Sequence, residues 1–481
     1  MKLKFLVILL LIGFSNQKCK DKVEEEFEPP VVEPPVGEIP EVQMYLTTSN
    51  ATQKIALQEV GIDFPLETPN YTITIDHSEV YQEIDGFGFA LTGGSAMHLN
   101  SMSVAARAQL LNRLFDTTGE SIGISYIRIS IGASDLDESV FSYNDLPDGE
   151  TDEMQEQFSI EPDRTHLIPI LKEILAINPD LKIMATPWSP PTWMKTNGSS
   201  KGGQLLEKYY DSYGLYLAKY IEAMAAENIT IESMSVQNEP LHPGNNPSMS
   251  MSAEEQLAFI KTALGPTFEE RNIDTKIILY DHNADRPDYP MTILADEEAY
   301  QYVDGSGFHL YGGDISALSQ VRNAYPEKNI YFTEQWYGAP GNFSGDLKWH
   351  IRELIIGATR NWSKNVIEWN LSSAPDLGPH TDGGCDQCLG GISIDGDNVT
   401  YNAGYYVVAH ASRFVRPGSL RIMTNSGGDI SNVAFKTENN QVVLIVLNNS
   451  EATKAINVEQ NEVQFSTVLD AGSVATYLWN E

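Results

Sequence analysis

The stretch ITIESMSVQNEP, residues 229–240, has the pattern of a β-strand that ends in a polar turn. Its first part is rich in β-branched residues in a short run, which is typical of a strand. Its end places Glu239 between an amide, Asn238, and a proline, Pro240. A single glutamate at a strand end is usually a solvated charge, so the role of Glu239 depends on which residues share its edge of the fold.

Seven further runs along the chain have the same β-rich character, and amphipathic segments with helical spacing separate them. Eight strands that alternate with helices predict a (β/α)8 barrel, which we place at residues 79–401, rather than an open doubly wound sheet. None of the helices opens on a GxGxxG or Walker motif, so nucleotide binding has no support. The seven runs are IDGFGFALT (84–92), ISYIRISIG (124–132), LKIMATPW (181–188), KIILYDHN (276–283), GFHLYGG (307–313), NIYFTEQW (329–336) and NVIEWNLSS (365–373).

The flanks of this region have a different pattern. Residues 44–78 and 402–481 alternate apolar and polar side chains around turns and carry almost no helical period. We expect the two pieces to pair into one β-sandwich beside the barrel. No repeat at a fixed period is present, which argues against a solenoid or a propeller.

The composition excludes several classes of partner. The chain has 66 acidic and 31 basic residues in 481, a net charge of −35, with no basic cluster. Such a surface repels nucleic acids and anionic membranes, so a neutral substrate is expected and no nucleic-acid partner. Uncharged sugars fit, because the 7 Trp and 22 Tyr residues offer faces that stack on a pyranose ring.

The N-terminus predicts export. Two lysines precede an apolar run from Phe5 to Phe14, which is too short to span a bilayer, so residues 1–18 form an export signal. Cys19 stands where a bacterial lipoprotein carries its lipidated cysteine, although Lys18 replaces the usual small residue. The acidic, proline-rich segment 19–43 is a semi-rigid tether. We expect a cell-surface or outer-membrane lipoprotein, whose membrane contact is a lipid anchor at Cys19; the alternative is a secreted or periplasmic protein with a disordered leader.

Two further cysteines, Cys385 and Cys388, form a single CxxC motif among glycines. Zinc usually needs four ligands, and a thioredoxin-like site would lie at a strand-to-helix turn. In an oxidising compartment we therefore expect a local disulfide that fixes a loop.

Two glutamates close strands of the predicted barrel. Glu239 ends the fourth run and Glu334 ends the seventh. In a (β/α)8 barrel the carboxyl ends of the strands line the active site, so the two carboxylates meet at one rim. Glycoside hydrolysis needs such a pair, one to protonate the leaving oxygen and one to attack or to activate water.

Five motifs in order and spacing resemble those of glycoside hydrolase family 30, the family of glucosylceramidases and bacterial β-1,6-glucanases. The similarity extends over residues 44–481 and includes the sandwich of that family. The motifs are IDGFGFALTGGSA (84–96), WSPPTWMKTNG (188–198), SVQNEP (235–240), FTEQW (332–336) and EWNL (368–371). FTEQW is closer to the bacterial glucanase branch than to the animal glucosylceramidases.

The resemblance implies roles for individual residues. Glu239 resembles the general acid/base, Glu334 the nucleophile, and Asn238 the residue that binds the sugar 2-hydroxyl. Arg128 resembles an arginine beneath the carboxylates, whose charge would keep Glu334 ionised. The remaining substrate-binding matches are Asp135, Trp188, His309, Tyr311 and Trp369.

Each supporting residue has a structural alternative. Trp188 and Trp369 could be core residues, since tryptophan is mostly buried. His309 could be a structural, hydrogen-bonded histidine, and Arg128 could only balance neighbouring acids.

The expected mechanism is retaining double displacement without metal or organic cofactor. Glu334 attacks, while the nearby negative charge raises the pKa of Glu239 so that it holds a proton. The resemblance implies β-1,6-glucan, such as pustulan or the branches of laminarin, as substrate. The alternatives are a glucosylceramidase-like β-glucosidase, a β-xylosidase or β-fucosidase, and a non-catalytic glycan-binding lipoprotein.

Overall fold

The structure, a computed structural model, describes residues 41–59 and 61–480. The export signal at 1–18, the lipidation site Cys19 and nearly all of the tether at 19–43 lie outside the described residues. Within those ranges, no helix has both the length and the apolar character needed to cross a membrane.

Eight parallel strands close into a barrel in chain order, and each of the eight predicted runs contributes one strand. The (β/α)8 fold class is therefore confirmed. The barrel strands are Gly86–Ala90, Tyr126–Ile131, Lys182–Pro187, Ser233–Ser235, Lys276–Ala284, Val303–Gly313, Asn329–Glu334 and Ser363–Glu368.

Helices connect the strands and cover the barrel. The helix Leu167–Ile177 shows why they form, because Ile170, Leu171 and Ile174 recur at helical spacing and are fully buried. The other α-helices are Gly93–Ser101, Val104–Phe115, Tyr210–Ala226, Ala253–Phe259, Gly265–Arg271, Asp288–Leu294, Glu297–Tyr300, Ala317–Ala324, Phe343–His350 and Ala403–Ser412. Two π-helical segments, Ile260–Leu264 and Ile351–Ala358, and three 3₁₀ turns, Glu161–Arg164, Thr192–Met194 and Glu207–Tyr209, complete this set.

The inside of the barrel changes from apolar to charged toward the carboxyl ends of the strands. A buried apolar layer comprises Tyr126, Met184, Ile278, Tyr331 and Ile367. Side chains two residues further along a strand point to the same face. Above that layer the second, third and seventh strands therefore present Arg128, Thr186 and Thr333, all buried. These polar side chains thus lie toward the rim at which the active site of such a barrel lies.

The flanks form one ten-stranded sheet that folds back on itself as a sandwich. Phe465 stacks near Tyr477 and Trp479, with ring centroids 5.8 and 5.7 Å apart, although their strands lie far apart in the sheet order. The predicted side sandwich is therefore confirmed. In spatial order its strands are Ala56–Gln58, Gln43–Thr47, Val474–Asn480, Gln441–Asn448, Ile430–Lys436, Leu420–Thr424, Tyr71–Glu83, Lys454–Gln460, Val463–Leu469 and Ile62–Asp63.

The element boundaries differ from those read from the pattern. The strand Tyr71–Glu83 continues beyond residue 78. The helix Ala403–Ser412 occupies the start of the segment that we assigned to the sandwich. It contacts the barrel through the Tyr405 hydroxyl, which accepts from Arg113 Nε at 3.1 Å, and the sandwich through His410, whose Nδ1 is 2.8 Å from Thr476 Oγ1. The helix thus joins the two parts.

Candidate active site

A cavity of about 370 Å³ opens at the carboxyl end of the barrel strands. The structure brings seven of the eight predicted catalytic and substrate-binding residues and both predicted disulfide cysteines to its wall. The eighth residue, His309, and the predicted supporting residue Arg128 are fully buried beneath it. The lining residues are Asp135, Trp188, Asn238, Glu239, His242, Asn245, His282, Asn283, Tyr311, Glu334, Trp336, Trp369, Cys385 and Cys388.

Arg128 joins three parts of the site. Its Nη1 donates to Glu334 Oε2 at 2.6 Å, and its Nη2 donates to Asn238 Oδ1 at 2.7 Å and to Asp281 Oδ2 at 2.9 Å. Bonds between a guanidinium and a carboxylate are short and strong, and the planar group fixes their directions. Arg128 therefore orients Asn238 and Glu334 and also balances the charge of the buried acids. The same set of bonds thus serves both roles considered for this residue, support of the carboxylates and charge balance.

Asp281, at the end of the fifth barrel strand, lies at the centre of the buried network and was missed from the sequence. Besides Arg128 it accepts from Ser235 Oγ and Thr333 Oγ1, each at 2.6 Å, and its Oδ1 lies 3.2 Å from His309 Nε2. Burial raises the pKa of Asp281, but the charge of Arg128 and the bonds from His309 and Ser235 outweigh burial and lower it below the ordinary value. Asp281 is thus a fixed negative charge under the site.

Glu334 is held from two sides. Arg128 binds its Oε2, and the Tyr311 hydroxyl donates to its Oε1 at 3.0 Å. Tyr311 is 40% exposed at the mouth of the cavity, yet its hydroxyl reaches the carboxylate. With both oxygens engaged, Glu334 has one defined orientation toward the cavity.

Glu239 faces two imidazoles. Its Oε1 lies 3.4 Å from His309 Nδ1 and 3.5 Å from His282 Nδ1, and Asn245 Nδ2 donates to its Oε2 at 3.3 Å. Burial raises the pKa of Glu239, but the facing imidazoles outweigh burial and lower it below the usual range. From the nearby negative charge of Glu334 alone, the sequence predicts a raised pKa for Glu239. The structure shows a lowered pKa instead, because two histidines face Glu239.

His309 connects the two glutamates. Burial lowers its pKa, but the negative charges of Glu334, Asp281 and Glu239 outweigh burial and raise the pKa to about 9.

The two glutamates lie close together on either side of His309. The Nδ1 atom of His309 lies 3.4 Å from Glu239 Oε1 and 3.6 Å from Glu334 Oε1, so these two oxygens are at most about 7.0 Å apart. The paired carboxyl groups of retaining glycosidases are about 5–5.5 Å apart and those of inverting enzymes about 6.5–9.5 Å. The upper bound of about 7.0 Å therefore admits the retaining spacing and excludes most of the inverting range.

Trp188 and Trp369 lie side by side, with ring centroids 5.4 Å apart, on one wall of the cavity. They are only 2% and 4% exposed, and the Arg128 guanidinium carbon lies 4.8 Å from the Trp188 ring centroid. Both tryptophans therefore pack as core residues over most of their surface and still line the cavity.

A loop with a disulfide covers Asp135. Cys385 and Cys388 are joined by a disulfide, and the Cys385 backbone N–H donates to Asp135 Oδ2 at 3.2 Å. Burial and then the charge of Glu334 raise the pKa of Asp135 to about 7. The loop therefore positions a carboxyl group that is partly protonated near neutral pH.

Several lining residues were not predicted. His282 and Asn283, which line the cavity, and Asp281, which is fully buried, follow one another at the end of the fifth strand. The strand-end rule that identified Glu239 would have identified them as well. Trp336 closes the seventh run and pairs with Trp369 in a β-bridge, so the same rule would have identified it, whereas Asn245 stands in a loop and gave no such signal.

The comparisons with known proteins agree with this architecture. Residues 84–415 match the glycosyl hydrolase family 30 TIM-barrel domain, and residues 418–477 match the family 30 beta sandwich domain. The chain belongs to glycosyl hydrolase family 30.

Individual relatives in family 30 cover nearly the whole chain. An endo-1,6-beta-D-glucanase of Neurospora crassa is 31% identical over 91% of this chain and 94% of its own length. The lysosomal acid glucosylceramidase of Mus musculus is 25% identical over 85% and 83%. The solved structure of the endo-beta1,6-glucanase BT3312 has a TM-score of 0.85 and 37% identity and covers 92% of this chain and 99% of its own. As a family 30 member, the protein is a glycoside hydrolase, and its closely spaced glutamates fit the retaining mechanism.

Proposed function

We propose that this family 30 enzyme hydrolyses β-1,6-glucan by retaining double displacement, with Glu334 as nucleophile and Glu239 as general acid/base. The observation that carries the assignment is the different environment of the two carboxylates around His309. Arg128 and Tyr311 bind Glu334, whereas two imidazoles and an amide face Glu239. A charged attacking group and a proton-exchanging group need such unlike surroundings.

In the first step, Glu334 attacks the anomeric carbon while the bond from that carbon to the leaving oxygen breaks. The leaving oxygen takes its proton from Glu239, the member of the Glu239–His309 pair that lines the cavity. Because the two groups interact strongly, the proton belongs to the pair rather than to either residue.

In the second step, Glu239 accepts a proton from water, and the oxygen of that water attacks the anomeric carbon of the glycosyl ester. The bond to Glu334 breaks and frees its carboxylate, so each step inverts the anomeric centre once and the product retains its configuration. Asn238, which Arg128 orients, supplies an amide for the sugar 2-hydroxyl.

We expect the first product released from pustulan to be the β-anomer, because two inversions restore the starting configuration. A ¹H NMR time course that resolves the anomeric protons before mutarotation measures this. An α-anomer as first product would mean that water attacks directly and that Glu334 is not a nucleophile.

The choice of β-1,6-glucan rests on the named relatives together with the cavity. The Neurospora crassa protein and BT3312 are both named as endo-β-1,6-glucanases. The net charge of −35 disfavours anionic polysaccharides, and the apolar wall formed by Trp188 and Trp369 suits a neutral hexose. The alternative favoured by an observation is a glucosylceramidase-like β-glucosidase, because such enzymes are also among the relatives.

Purified protein should release glucose or short β-1,6-oligosaccharides from pustulan and from the branches of laminarin, and it should leave cellulose and xylan intact. Chromatography of the products measures this and separates endo from exo action by the size of the first products. Faster turnover of glucosylceramide, or of an aryl β-xyloside or β-fucoside, would change the assigned substrate to that compound. The assignment of the catalytic pair would stand. No turnover of any glycoside would favour the glycan-binding alternative.

We also propose an extracytoplasmic location with a lipid anchor at Cys19. The predicted export signal supports the location, and so does the Cys385–Cys388 disulfide, because disulfides persist mainly in oxidising compartments. The anchor rests on the position of Cys19 directly after that predicted signal.

A further inference from the structure

Glu239, His282 and His309 form a compact cluster of three buried side chains that offer metal-ligating atoms. One atom from each, a carboxylate oxygen and two imidazole nitrogens, lies within 4.8 Å of the other two. The cluster adjoins the cavity, which both Glu239 and His282 line, so an ion in solution can reach it.

The spacing fits a tetrahedral ion. Zinc binds nitrogen and oxygen ligands at about 2.0–2.2 Å, which places neighbouring ligand atoms about 3.3–3.6 Å apart in a tetrahedron. Glu239 Oε1 lies 3.4 Å from His309 Nδ1 and 3.5 Å from His282 Nδ1. Two of the three edges therefore already have the required length, and the ligand atoms of the two histidines lie within 4.8 Å of each other.

Two further observations support a ligand at this point. His282 Nδ1 is buried and, within the described residues, has no hydrogen-bond partner, because its orientation toward Glu239 does not make a bond. His309 directs its other nitrogen, Nε2, at Asp281 Oδ1 at 3.2 Å. Metal-bound histidines characteristically donate their second ring N–H to a carboxylate in this way.

We propose that Glu239, His282 and His309 bind one Zn²⁺ ion, or a similar first-row divalent cation, and that the ion inhibits the enzyme reversibly. On binding, the ion displaces to solvent the proton that Glu239 and His309 share, because both must be deprotonated to act as ligands. The ion then occupies Glu239 Oε1, and water fills its fourth position. Glu239 then neither donates a proton to the leaving oxygen nor accepts one from water. Ion binding depends only on the cluster, whereas inhibition rests on the proposed role of Glu239.

The test uses untagged full-length protein, freed of metal by a chelator, with Zn²⁺ binding measured by calorimetry and hydrolysis of pustulan measured in the same buffer. Three proteins are compared: wild type, His282→Gln and His242→Gln. His242 is the matched control, because it is an exposed histidine that lines the same cavity and lies outside the cluster. Hydrolysis by each protein is expressed relative to its own metal-free rate.

We expect one tight Zn²⁺ ion per chain in wild type and in His242→Gln, and affinity weakened at least about tenfold in His282→Gln. Zn²⁺ should inhibit wild type and His242→Gln at the same concentration and His282→Gln only at a higher one, and EDTA should reverse the inhibition. A zinc-edge anomalous map of wild-type crystals, which does not depend on the folding of any variant, should place the ion between the three side chains. An ion elsewhere, no binding by wild type, or equal weakening in both variants would overturn the proposal.

Two outcomes separate this inference from the proposed function. Hydrolysis in metal-free buffer without Zn²⁺ binding would overturn the metal site and leave the proposed function intact. A Zn²⁺ ion located at the cluster with undiminished hydrolysis would overturn the inhibition and, with it, the role of Glu239 as acid/base.

Discussion

Glu334→Gln is expected to lower kcat/KM on β-1,6-glucan by at least about 10⁴-fold, because the amide cannot form the glycosyl ester on which both chemical steps depend. The substitution keeps the shape of the side chain and still allows a bond from Tyr311. It removes the ion pair with Arg128, but Asp281 remains as an acceptor for that buried charge. The fold should therefore persist, and circular dichroism with a thermal melt checks this.

Glu368→Gln provides a matched control. Glu368 ends the eighth barrel strand as Glu334 ends the seventh, and it is fully buried. Its carboxylate accepts from the Tyr337 hydroxyl at 3.0 Å, lies 3.0 Å from His350 Nδ1 and does not line the cavity. The control should keep most of its activity. If Glu334→Gln lost no more activity than Glu368→Gln, the nucleophile would have to be another residue.

The barrel could be predicted from the sequence because each strand is a separate local pattern. The strands that contain Tyr126, Met184 and Ile367 are buried on both faces, and burial of that kind leaves a strong mark on composition. The boundaries of the sandwich were harder to predict from the sequence. The strand Tyr71–Glu83 and the helix Ala403–Ser412 lie at the two places where the sequence pattern changes from that of the sandwich to that of the barrel. Packing against both parts decides where these elements end.

The sequence places Glu239 and Glu334 at one rim, as the structure does, whereas the surroundings that set their protonation could not be predicted. Glu239 and Glu334 each close a strand, which is visible in the sequence. The fifth strand is irregular: Tyr280 and Asp281 have positive φ of 67° and 62°. Alternation of side chains therefore does not tell which of its residues face inward. The approach of His282 and His309 to Glu239, which lowers its pKa, depends on this irregular strand and its neighbour.

Glu239→Ala should separate the two proton transfers assigned to this residue. On pustulan, whose leaving group is a sugar hydroxyl, we expect a loss in kcat/KM of about 10²–10⁴-fold, the usual contribution of general acid catalysis. On dinitrophenyl β-glucoside, whose leaving group departs without a proton, formation of the glycosyl ester on Glu334 should proceed nearly as in wild type. The rate of dinitrophenolate release measures this step.

The ester should then accumulate in Glu239→Ala, because no base remains to activate water, and the release of dinitrophenolate should show a burst followed by a slow phase. Azide needs no deprotonation, and the space left by the carboxylate admits it to the anomeric carbon. Added azide should therefore accelerate the slow phase and yield the β-glucosyl azide, which NMR identifies. Glu334→Gln, which forms no ester, should give no burst and no β-azide. Equal losses on the two substrates, or no azide rescue, would mean that another group exchanges the proton and that Glu239 only orients it.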